Sequence, residues 1–140
     1  MVKNQNFYQD LVGYINNTQG LAFEWGVRDC VTYAIGALEL MIGRAVEKPD
    51  FGYRTKEEAF EFAQRYSLAV GMRAQLGAYE VTHRFHQPGD IAIVQRHGLE
   101  CAHVVLGKHA FAPLLGGAVT AFDMQRLYLE APEVLILRFD

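Results

Sequence analysis

Residues 88–107, PGDIAIVQRHGLECAHVVLG, decide the fold. Pro88-Gly89 opens a turn, Ile91-Ala92-Ile93-Val94 is a short apolar run, and Gly98 breaks it. Ala102-His103-Val104-Val105-Leu106 is a second run, closed by Gly107. Apolar runs of this length between turn residues are the signature of strands joined by tight turns. Two more follow at Ala118–Phe122 and Val134–Leu137, with Gly116-Gly117 placed as a hairpin turn before the first. Upstream of residue 79 the period changes. Phe7, Leu11 and Tyr14 or Ile15 recur at helical spacing within 7–17, and Val31, Ala34, Leu38, Met41 and Ile42 share one helical face after Cys30. Asp29 is placed to cap that second helix and Gly43 to stop it. Thr55-Lys56-Glu57-Glu58 reads as a capping box opening a third helix, and a shorter helical piece ends at Gly77. Helices first and strands afterwards predict an α+β domain with an antiparallel sheet.

Composition agrees with one domain over residues 1–140. A chain of 140 residues, 51% hydrophobic and 21% charged, can bury a core without disulfide or metal staples. Thirteen basic residues against sixteen acidic ones give a charge of −3. That balance removes the electrostatic basis for nucleic-acid binding. No uncharged apolar run of about 18 residues is present, which excludes a spanning helix. The start, MVKNQNFYQD, lacks the apolar core of a signal peptide.

Two cysteines, Cys30 and Cys101, are too few for a disulfide scaffold. Cys30 has two readings. It is either a small buried hydrophobe opening a core helix, or a nucleophile whose thiolate the helix start favours. A nucleophilic cysteine needs a base within reach. Of the five histidines, His103 alone lies inside a strand-like run, where it would be rigid. It too has a plain reading, as a satisfied structural histidine. His83 and His86 form an H-x2-H pair with no further ligand at a recognised spacing, so no metal is expected. Trp25 either belongs to the core or floors a cleft beside Cys30. Arg28 is either a surface charge or a partner for Asp29 or a substrate carboxylate. Asp90 reads as a turn former. Cys101, two before His103, points the same way on a strand and reads as packing.

Taken in order, F-x-W-G, then D-C and an apolar helix, then P-G-D with a hydrophobic strand, then H-V-V-L-G, the chain resembles the NlpC/P60 cysteine peptidases. It is also similar to an offshoot of that family found among phage tail-assembly genes. The matching stretches run from Phe23 to Gly43, Pro88 to Val94 and His103 to Phe111, with a weaker fit through Phe122. The resemblance implies a minimal papain-like α+β fold, the N-terminal helices packed on a C-terminal antiparallel sheet. Cys30 falls on the nucleophile and His103 on the base, with Phe23, Trp25 and Arg28 at the cleft. It implies hydrolysis of amide bonds in peptidoglycan stem peptides, with no cofactor. The protein would be assembled in the host cytoplasm, carried on the virion beside other tail hub or tip proteins, and act at the host wall. Three features depart from the family pattern. Phe23 stands where members carry Tyr, Val31-Thr32 replaces Ser-Gly, and apolar Ala112 falls where a third polar residue follows the catalytic His. Those departures keep a second expectation open: the same fold serving as a structural part of the tail tip, with catalysis weak or lost.

Overall fold

The computed structural model describes residues 3–139. Four helices precede the main body of the sheet: α1 (Phe7–Thr18), α2 (Cys30–Ile42), α3 (Lys56–Ala63) and α4 (Leu68–Leu76). Each of the last three begins at a residue whose side chain accepts a backbone N–H of the first turn: Asp29, Thr55 and Ser67. At α2 the capping box is reciprocal, between Asp29 and Thr32. At α3 it is displaced by one residue, since Glu58 Oε1 accepts from Arg54 N–H rather than from Thr55. Gly43 and Gly77 end α2 and α4 in the left-handed conformation, as their positions predict.

The strands are β1 (Tyr79–Val81), β2 (Ile91–Arg96), β3 (Leu99–Leu106), β4 (His109–Pro113), β5 (Val119–Asp123) and β6 (Leu135–Arg138). They form one sheet in the order β1-β6-β2-β3-β4-β5, every pairing antiparallel. The β2–β3 hairpin turns on His97 and Gly98 alone, with Arg96 opposite Leu99. Both turn residues have positive φ, 54° and 76°, as a two-residue hairpin that matches strand twist requires.

Alternation along the strands sorts the core. Ile91, Ile93, Ala102 and Val104 face α1, α2 and α4. Ala92, Val94, Val105, Ala110 and Ile136 face α5 (Met124–Glu130) on the other side. Covered on both faces, β2 and the far half of β3 carry the unbroken apolar runs seen in the sequence. The α+β expectation with an antiparallel sheet is met. Three elements lie outside the runs read from the sequence. Two are strands, β1, three residues long, and β4. The third is α5, seven residues capped by Asp123, which interrupts the strand series. Asp90 also does more than form a turn. It accepts Gln87 N–H at 2.8 Å, and its fully buried carboxylate takes Arg138 Nε and Nη2, both at 2.9 Å. That pair ties β6 to the start of β2. Among the described residues no helix is long and apolar enough to cross a membrane.

Candidate functional site

The segment before α2 is shaped by Gly26 and Asp29. Gly26 has φ +76°, and a Cβ there would collide with the Tyr53 carbonyl oxygen, so a side chain is excluded twice over. Its N–H donates to Asp29 Oδ2 at 2.8 Å. Asp29, buried, spends its other oxygen on Thr32 N–H at 2.9 Å, and its carbonyl accepts Tyr33 N–H at 2.9 Å. Glycine and aspartate together set Cys30 as the first residue of α2, which is the arrangement W-G-x-x-D-C predicts. Within the first turn, Thr32 and Tyr33 N–H are therefore taken by Asp29. Those of Cys30 and Val31 have no carbonyl one turn earlier in the helix.

β3 receives this helix start. Cys30 Sγ donates to the Glu100 carbonyl at 3.4 Å, on the stretch of β3 that β4, paired only from Val104 onward, does not cover. The Glu100 carboxylate in turn accepts Leu68 N–H at 2.8 Å and Ala69 N–H at 3.3 Å, holding the start of α4. One residue of β3 thus anchors two helix N-termini.

A cavity of about 160 Å³ opens beside Cys30. Phe23 and Trp25, packed edge to face at 4.7 Å, form an apolar wall of this cavity. The thiols of Cys30 and Cys101 both line the cavity, together with the cationic Lys56 and Arg96 and the imidazole of His97. Among the described residues no carboxylate lines it. On its far side Cys30 borders a smaller apolar cavity with Tyr53. Burial, and then the Asp29 carboxylate that its hydroxyl meets, hold the Tyr53 phenol far above its ordinary range. Tyr53 puts a hydroxyl beside the Cys30 helix although Phe23 has none.

His103 is fully buried on β3, its ring edge-on to Phe122 at 4.9 Å. Its Nδ1 lies 3.1 Å from the Cys101 carbonyl and 3.2 Å from that of Ala92, so Nδ1 carries the proton and donates to both. Nε2 then accepts from Arg96 Nη1 at 2.8 Å. Burial first, and the Arg96 cation second, lower its pKa to about 4. His103 is neutral at pH 7 with both nitrogens occupied. No hydrogen bond joins it to Cys30. The β3 side chain against Cys30 is Cys101, read from the sequence as packing. That neighbour, followed by burial, pushes the Cys30 thiol up. Cys101 is drawn down, by the Cys30 thiol foremost and by Arg96 in addition. Arg96 favours a thiolate at Cys101, while Asp29 disfavours one at both sulfurs.

Arg28 is half-exposed, donates to the Ala22 carbonyl at 2.9 Å and does not line the cavity. His83 and His86 bind the Val134 carbonyl and the Tyr128 hydroxyl, and no metal-binding group of three occurs among the described residues. Ala112, in β4, lines the cavity wall. The residues unforeseen at this site are Tyr53, Lys56, Arg96 and His97. Only Arg96 and His97 carry a signal, their place two and three positions after Val94 at a two-residue hairpin. No curated protein matches the chain. Residues 2–128 match the family described as a domain of unknown function, DUF6950, and the chain belongs to that family.

Proposed function

We propose that the chain is a papain-like domain of NlpC/P60 type that hydrolyses amide bonds of peptidoglycan stem peptides, carried on a phage tail. The observation that supports this most is Cys30 at the first residue of α2, in a cavity whose ionisable wall offers Lys56, Arg96 and His97 and no carboxylate. Stem peptides bear carboxylates, and such a wall attracts them. The Arg96–His103 contact is then a resting state. A substrate carboxylate competes for the Arg96 guanidinium and releases His103 Nε2, which takes the proton of Cys30. The thiolate attacks the carbonyl, and the Cys30 and Val31 N–H groups steady the oxyanion. His103 returns the proton to the leaving amine, and water clears the acyl-enzyme.

A second reading, a structural tail component with the same fold, draws on one observation: both ring nitrogens of His103 are already engaged. Release of soluble fragments from purified peptidoglycan separates the two. The hydrolase reading expects release by wild type, reduced at least about a thousandfold in Cys30→Ala and in His103→Ala. Equal rates in all three proteins, zero included, refute it and leave the structural reading. Loss in Cys30→Ala alone removes His103 as the base.

A further inference from the structure

Cys101 is not used by the proposed mechanism, yet it shares the cavity with Cys30. Three features of the pair stand together. The Cys30 sulfur is hydrogen-bonded to the carbonyl of Glu100, which belongs to the same peptide unit as the Cys101 nitrogen. Both cysteines are free and half-buried as residues, the Cys30 sulfur the more enclosed of the two. Cations line the cavity around them, with Arg96 beside Cys101. Disulfides form where two cysteines stand on neighbouring backbone, with Cα atoms about 5–6 Å apart. A cationic, partly open surrounding is where reactive thiolates occur.

We propose that Cys30 and Cys101 are a reversible dithiol–disulfide site for small hydroperoxides, in which Cys101 is oxidised first and Cys30 resolves it. The Cys101 thiolate attacks the outer peroxide oxygen. The O–O bond breaks, and the leaving oxygen takes up a proton to depart as water or an alcohol. Cys101 is then a sulfenic acid. The Cys30 thiol attacks the Cys101 sulfur, forming the S–S bond, and its proton leaves with the displaced hydroxide as water. Two thiols are oxidised, one peroxide is reduced, and two equivalents of an external thiol, or one dithiol, return the disulfide to two thiols and leave as a disulfide themselves. The lowered pKa of Cys101 beside Arg96 and the raised one of Cys30, set by Cys101 and by burial, agree with this order. While the bond stands, the sulfur at the start of α2 is no nucleophile.

The test is a thiol count on the full chain, which reads no hydrolysis and so stands or falls separately from the proposed activity. Reduced protein is treated with hydrogen peroxide, quenched in acid, alkylated under denaturing conditions and mapped by mass spectrometry without reduction. Both thiols should disappear together. The peptides bearing Cys30 and Cys101 should be joined within one chain, and dithiothreitol should restore both thiols. In Cys30→Ser, trapping by dimedone should label Cys101 about tenfold more than in wild type, because nothing resolves the sulfenic acid. The proposal is overturned if wild type keeps both thiols, links only between chains, or accumulates sulfinic acid instead. Stronger dimedone labelling of Cys30 in Cys101→Ser than of Cys101 in Cys30→Ser overturns the order. The wild-type map decides even where a variant does not fold.

Discussion

Arg96→Met is the most informative perturbation of the site, because it removes the donor to His103 Nε2. In the wild type His103 titrates at about 4 instead of 6.5, lowered by burial and then by Arg96. That interval corresponds to about 3 kcal/mol. The sign follows from which state binds more protons. Between pH 6.5 and pH 4 the unfolded chain is protonated at this position and the folded one is not. Stability from neutral His103 is therefore complete above pH 6.5 and is lost as pH falls toward 4. Arg96→Met removes the cation and the donor to Nε2 but leaves the burial. The His103 pKa should rise above about 4 while remaining below its free value. At pH 7 the variant leaves a buried ring nitrogen without its donor, which costs about 1–3 kcal/mol. On acidification that deficit should narrow, since the variant has less still to lose. Urea denaturation at pH 7 and pH 5 measures the deficit, and NMR titration of the His103 ring, assigned with His103→Gln, measures the pKa. A deficit that stays constant or widens would refute the reasoning. So would a wild-type His103 that titrates near 6.5.

Two further outcomes concern the frame around the cavity. Asp29→Ala removes the cap of α2 and the acceptor for Gly26 N–H, and should cost about 2 kcal/mol or slightly more in chemical denaturation. Arg138→Met strands the buried Asp90 carboxylate and should cost about 3–5 kcal/mol, whereas Asp90→Leu combined with Arg138→Met should recover most of that loss.

The elements legible in the sequence are those whose signal is local. The cap at Asp29, the stops at Gly43 and Gly77, and the apolar run of β2 each follow from chemistry within a few residues. α5 was not legible, because MQRLYLE is two turns long and its burial depends on a sheet face assembled from distant strands. β1 is held by β6, more than fifty residues onward, and three residues carry no period. At the site, the position of Cys30 was readable from W-G-x-x-D-C. The partners of His103 were not, because Arg96 meets it only through β2–β3 pairing. Strand alternation puts Cys101 on the His103 side of β3. That it meets Cys30 depends on where α2 crosses the strand edge, and no spacing encodes that crossing.

The place of β6 in the sheet bears on where this domain stops. The family match ends at residue 128, inside α5, yet β6 at Leu135–Arg138 lies between β1 and β2 and supplies the only strand pairing of β1 among the described residues. A chain shortened to the matched segment would release β1, lay bare the hydrogen-bonding edge of β2 along Ile91–Ile93, and leave Asp90 buried without its cation. An apolar strand edge of that kind is a template for pairing with other chains. The boundary drawn by sequence similarity therefore falls short of the boundary drawn by hydrogen bonding, and the last strand belongs to the cooperative unit.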